Sequence, residues 1–172
     1  MLRLLLAAAI AIAGAAAAQA GPKTAIFPFE LIDVSLPGQY IGPDPNETQR
    51  LALITEELRT LAARDAGYEV LDLSGIAPDI AKAAPLYKCN GCDIALARKV
   101  GADVAIMGTV RKVSNLVLEV HLFVSDVPSG KLTKIHRVEL RGNSDETWLR
   151  GVRRLVAEHL GGGSENKQSQ RH

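Results

Sequence analysis

Two stretches near the carboxyl end alternate apolar and polar residues with a period of two. In the first, Leu116, Leu118, Val120, Leu122 and Val124 alternate with Val117, Glu119, His121, Phe123 and Ser125. In the second, Leu132, Val138 and Leu140 again hold even positions. That period belongs to half-buried strands, and the even positions form the core face. Between the stretches lies Val127-Pro128-Ser129-Gly130-Lys131. Pro at the first turn position and Gly at a left-handed one fit a three-residue hairpin loop with a bulge. Such a loop pairs Val127 with Lys131 and therefore even residues with even residues. A two-residue Pro-Ser loop would put Arg137 and Glu139 among the leucines, because a one-residue slip flips every side chain. Burying those charges would cost on the order of several kcal/mol, so the first register is chosen.

The segments upstream complete the sheet and its helices. Thr24–Glu30 reads as a first strand, an edge or bulged one, since Pro28 cannot donate to a ladder. Leu31–Pro43 reads as a long loop carrying Leu36, Tyr40 and Ile41, either a functional element or a cover folded over a sheet edge. Asp44, Pro45 and Glu47 supply a cap, a first helical residue and a capping-box acid. Leu51, Ile54, Leu58 and Leu61 follow at helical spacing until Gly67. Tyr68–Leu73 predicts a second strand, Ser74–Ala84 a weak helix, and Asn90–Val100 a third helix. Ala102–Val113 is a strand with Val104, Ile106 and Val110 on one face. Asn143 with Glu146, or Ser144 alone, caps a last helix whose stripe is Trp148, Val152, Leu155 and Val156. The pattern predicts one α/β (α+β) domain in two layers. A mixed five-stranded sheet carries helices mainly on one face, in the order β-α-β-α-α-β-β-β-α.

The amino terminus predicts export. Arg3 precedes an apolar run from Leu4 to Ala18, and Ala18-Gln19-Ala20 suits signal peptidase. Residues 1–20 read as the signal peptide, 21–160 as the domain and 161–172 as a flexible tail. No later segment approaches the roughly 18 apolar residues of a membrane span, so a periplasmic chain without stable membrane insertion is expected. The chain has 20 Lys+Arg and 19 Asp+Glu, and Arg3 leaves with the signal. That balance gives no field to hold nucleic acid.

Cys89-Asn90-Gly91-Cys92 contains the only cysteines. An oxidising compartment favours a small structural disulfide. An exchangeable redox pair and half of a metal site are the alternatives. A thioredoxin-type motif would directly follow a strand, and haem attachment would need His where Asp93 stands. A zinc site would need two further ligands. His121 and His136 fall on opposite faces of the hairpin, and His159 ends a helix in solvent. Neither a cofactor nor a metal is expected. No Gly-x-Ser-x-Gly is present, and Gly108-Thr109 is not followed by a phosphate-loop Lys. Asp33, Asp44 and Asp72 lie at element ends, where capping is the favoured role and a gathered acid–base set the other. The outer hairpin face mixes Phe123 and Ile135 with Glu119, Arg137, Glu139 and Arg141. It is either plain solvated sheet or a partner face anchored by Phe123, Ile135 and Arg137.

Four segments carry a resemblance: Ala25–Asp33, Tyr87–Cys92, Lys112–Asn115 and Arg141–Trp148. They look like a family of small exported proteobacterial proteins described as a domain of unknown function. More distantly, Ile26–Phe29, Gly101–Val110 and Asp126–Gly130 resemble the amino-terminal domain of the Tol-system propeller protein and the curli-secretion lipoprotein. That second resemblance implies a mixed sheet backed by helices and used for protein contacts in the envelope. The chain lacks the propeller, the lipid-acceptor cysteine and the pore-forming hairpins of those relatives. The expected function is a non-catalytic envelope accessory protein that binds a protein partner. The alternatives are a redox or metal-binding protein using Cys89 and Cys92, and a small-ligand carrier with Leu31–Pro43 as its lid.

Overall fold

The predicted hairpin forms, and its register is even with even. In the computed structural model, which describes residues 21–42 and 44–161, strands β5 (Val117–Asp126) and β6 (Lys131–Arg141) are antiparallel. Leu118 faces Leu140 and Val120 faces Val138. The predicted signal peptide, Pro43 and all of the predicted tail except Gly161 lie outside the described residues.

The device that sets the register differs from the predicted loop. Pairing closes at Asp126–Lys131 around four residues, with the Gly130 amide donating to the Asp126 carbonyl at 2.9 Å. Gly130 sits at φ +70°, where a side chain would strain the backbone. That turn alone would pair even with odd. A shift between Val124 and Ser125 absorbs one extra residue, Thr133, and restores the register. The Thr133 hydroxyl donates to the Val124 carbonyl at 2.8 Å. Leu132 lies on the turn side of the shift, so it faces Ser125 and is half exposed rather than in the core. Leu116 falls in the preceding turn and is 72% exposed.

Strand β4 (Val104–Lys112) pairs antiparallel with β5, Ile106 facing Val124 and Val110 facing Val120. Strand β1 (Lys23–Ile26) runs parallel to β4 and lies between it and the short β3 (Glu69–Val70). Strand β2 (Glu30–Asp33) pairs with β4 further along. The sheet thus has six strands in the order β3-β1-β4-β5-β6, with β2 beside β4, where five are predicted. The sixth, β2, takes Glu30 from the end of the predicted first strand and Leu31, Ile32 and Asp33 from the predicted loop. Ile26 faces Ile106 but Glu30 faces Thr109, so Phe27-Pro28-Phe29 is the bulge expected at Pro28, lying between β1 and β2 where both run along β4. The Phe29 amide instead donates to Thr55 Oγ1 at 3.0 Å. The extra residue sends Phe27 and Phe29 into different cores. A Cβ at Gly108 would collide with the Phe29 ring, so glycine there makes the slot for it.

Helices α2 (Pro45–Asp65) and α5 (Asp145–Leu155) cover the face that carries the even residues of β4–β6. Ile54, Leu58, Trp148, Val152 and Leu155 meet Ile26, Phe29, Leu118 and Leu122 there. A single π-turn, Val156–Leu160, ends α5. The short helices α3 (Ala77–Ala83) and α4 (Cys92–Lys99) lie on the other face. There Leu86, Leu96 and Ala97 cover Ala25, Phe27 and Ala105. The class is the predicted mixed α+β domain, with its long helices on one face and a smaller layer on the other. No helix of the described residues is long and apolar enough to cross a membrane.

Candidate functional site

Beyond β2, the rest of the predicted loop contains a short helix, α1 (Leu36–Tyr40). Asp33 Oδ1 accepts from the Ser35 amide at 2.9 Å and from its hydroxyl at 2.6 Å. Ser35 Oγ then accepts from the Gly38 amide at 3.2 Å and caps the helix. Gly38 packs directly on the Asp33 carboxylate, leaving no room for a Cβ. The apolar side chains point away: Leu36 is 70% exposed, Tyr40 84% and Ile41 85%. Folded over an edge they would be covered, and they are not. Val34, Val113 and Leu116 are also exposed at this end of the sheet. The Val34 amide donates to the Lys112 carbonyl at 2.9 Å, placing β2 and β4 side by side as they leave the sheet.

A buried polar network lies beneath α1. Lys112 holds an even position on β4 facing Leu118, so its side chain enters the helix-covered core. Its Nζ lies 2.6 Å from Glu47 Oε1 and 3.3 Å from Asp33 Oδ2. Glu47 is not the predicted capping-box acid. It turns inward and is fully buried, while Asp44 Oδ1 accepts from the Asn46 amide at 2.9 Å as the cap. Glu47 Oε1 also accepts from Asn143 Nδ2 at 2.6 Å. Asn143 Oδ1 accepts from Trp148 Nε1 at 3.0 Å, and its Nδ2 reaches Asn115 Oδ1 at 3.2 Å. The cap of α5 is therefore left to Ser144, whose hydroxyl accepts from the Thr147 amide at 3.3 Å. Burial pulls the Lys112 ammonium down, but the Glu47 and Asp33 carboxylates outweigh it and hold the group above its ordinary range. Burial raises Asp33, and bonds from Ser35 together with the Lys112 charge bring it below the usual carboxylate value.

Asp33, Lys112, Asn115, Asn143 and Trp148 belong to three of the four segments that carry the family resemblance, and the fold gathers them here. Parity held the missing signal. Lys112 shares its face with Ile106 and Val110, and a lysine on a core face requires a carboxylate partner.

The second feature is the cysteine turn. The Sγ atoms of Cys89 and Cys92 meet, with Cα atoms 5.6 Å apart, inside the range of a disulfide. Gly91, at φ +84°, makes the turn, and α4 starts at Cys92. A single 3-10 turn, Leu86–Lys88, precedes it. Its Leu86 and Tyr87 amides donate to the Glu30 carboxylate at 2.7 and 3.0 Å. The turn walls a groove of about 390 Å³ whose lining includes Tyr87, Asn90, Met107, Phe123 and Leu132. None of the described residues of 31–42 lines it.

The predicted site residues therefore separate into three places. Cys89 and Phe123 line the groove, and Cys92, bonded to Cys89, starts α4 beside it. Ile135 and Arg137 stand exposed on the edge strand β6, facing Phe123 and His121. Leu36, Tyr40 and Ile41 project from α1. Asp33, Asp44 and Asp72 do not gather; each accepts local bonds, Asp72 from the Ser74 amide at 2.9 Å. His136 and His121 lie on opposite faces, but His136 has an unpredicted neighbour in His159. Among the described residues no group of three or more His, Cys, Asp or Glu side chains is placed to hold a metal ion.

Comparison with known proteins places the fold. The LpoB C-terminal domain from Salmonella enterica superposes with a TM-score of 0.51 and 16% identity, covering 71% of this chain and 84% of that one. The same domain from Escherichia coli gives 0.52 and 15%, covering 75% and 89%. At that identity the likeness is one of fold. No curated protein matches the chain in sequence. A family model described as "Protein of unknown function (DUF2380)" matches residues 22–160, nearly the whole described chain, and the protein belongs to that family.

Proposed function

We propose that this is an exported, non-catalytic envelope protein that holds a protein partner through the apolar end built from α1. The observation that carries the proposal is the exposure of Leu36, Tyr40 and Ile41 on a short helix fixed by side-chain bonds. Tyr is enriched in interface hot spots, and a ring held clear of its own domain is free to fill a pocket elsewhere. Val34, Val113 and Leu116 extend the same apolar end. The amino-terminal segment and the paired cysteines fit an oxidising compartment outside the cytoplasm.

The test is a photo-crosslinking residue placed at Tyr40, at Ile41 and, as a control, at the exposed Arg64 on α2. A discrete crosslinked protein at the first two positions and not at the third is expected. Excess unlabelled protein should suppress it, and excess Tyr40→Ala protein should not. Equal crosslinking at all three positions, or none, would refute the proposal.

The groove gives one observation for the alternative of a carrier or redox site, since it brings Phe123 against the cysteine turn. In that reading the closing element would be the cysteine turn and not residues 31–43.

A further inference from the structure

The sheet gains nothing obvious from a lysine at position 112. Its cross-strand neighbour is Leu118, and the surrounding face is apolar. Replacing a buried ion pair by apolar residues of similar volume is often neutral or stabilising. The reason for the pair is better sought in what it holds.

Helix α1 has no buried residue and only five residues in all. A helix that short does not persist by itself in water. Without a hydrophobic anchor, its placement depends on a few bonds. The Gln39 side chain donates to the Val34 carbonyl at 3.1 Å. The main path runs from Gly38 to Ser35 Oγ, from Ser35 to Asp33 Oδ1, and from Asp33 Oδ2 to Lys112. Ser35 is buried, and Gly38 lies directly against the same carboxylate. The rotamer of Asp33 thus decides where α1 sits. Lys112, fixed on Glu47 from α2, sets that rotamer from below.

We infer that Lys112 is a positioning residue: anchored on Glu47, it locks Asp33 and so presents Tyr40 and Ile41 in one orientation, suited to a protein partner with a concave apolar pocket. The docking part of this inference rests on the function proposed above; the positioning part does not. A preset segment loses less conformational entropy on binding than a loose one, so the lock acts on affinity without touching the partner.

Hydrogen exchange on the purified protein tests the lock without any partner. Asp33→Asn keeps an oxygen for Ser35 but removes the charge that Lys112 holds. In that variant the Gly38, Gln39 and Ile41 amides should exchange about fivefold faster or more, with β4, β5 and α2 unchanged. The double variant Lys112→Met with Glu47→Leu removes the buried pair, while the Asp33 carboxylate, 15% exposed, keeps its bonds from Ser35. It should keep the wild-type melting temperature to within a few degrees and still show the faster exchange on α1. Crosslinking through a probe at Ile41 should fall severalfold in both variants. A merely structural network would instead restore α1 protection and crosslinking along with stability in the double variant.

Unchanged α1 exchange in Asp33→Asn overturns the inference. Should the double variant fail to fold, the single variant decides. Faster exchange with undiminished Ile41 crosslinking would leave the lock standing and remove the docking role of α1.

Discussion

His136 on β6 and His159 in the π-turn after α5 stack face to face, ring centroids 4.4 Å apart and planes 14° from parallel. The contact ties the end of the last helix to the edge strand. Burial, then the charges of His159 and Lys134, hold His136 below the ordinary imidazole value. Glu158 faces His159 on its own turn, at 3.9 Å.

The sign of the resulting pH dependence follows directly. A lowered value in the folded state means that the unfolded chain binds the proton more readily. The contribution of His136 is therefore complete above the ordinary imidazole pKa of about 6.5 and is lost as pH falls through the lowered value. Melting temperature should drop across that window in the wild type and drop less in His136→Gln. An identical drop in the variant would assign the acid sensitivity to other groups.

Lys112→Ala should destabilise the protein by about 3–5 kcal/mol, because it leaves Glu47 buried without its cation. Glu47 Oε2 already lacks a partner among the described residues, so only the neutral Asn143 bond to Oε1 would remain. Urea unfolding measures the loss. Lys112→Met with Glu47→Leu should recover most of it. A loss under about 1 kcal/mol in Lys112→Ala would mean that the carboxylate finds another partner or takes up a proton.

Cys89 and Cys92 close a short ring, so the chain-entropy gain is about 2 kcal/mol at most. Replacing both by Ser should lower the melting temperature moderately and leave crosslinking at Tyr40 unchanged. Thiol counting on unreduced exported protein should find no free thiol. A fully stable double variant without activity would move the function to the cysteine turn.

The β4–β6 sheet and both long helices were legible because each rests on a repeated signal. Leu118, Val120 and Leu122 set one face, while Ile54, Leu58 and Leu61 set another at helical spacing. One unpaired residue at Phe27–Phe29 hid β2, since a bulge breaks the alternation that identifies a strand. Leu132 was misplaced for the same reason, by the extra residue at Thr133. Glu47 was misread because its position in the helix suits a cap, and only the tertiary fold shows Lys112 waiting beneath it. Helix α1 has no periodicity to detect; its bonds depend on Asp33 and Ser35 meeting at the end of β2. Tyr40 could be singled out from the sequence by its place among glycines and prolines, but its direction came only from the structure.

The most direct test of the account is the melting temperature and partner affinity of Tyr40→Ala, measured on the same protein. The partner is the one recovered by crosslinking at Tyr40, and Arg137→Ala on β6 is the matched control. The account predicts an affinity loss of about 1–3 kcal/mol at Tyr40 with melting hardly changed, since the ring touches little of its own domain. A lower melting temperature with unchanged affinity, or a larger affinity loss at Arg137 than at Tyr40, would contradict it.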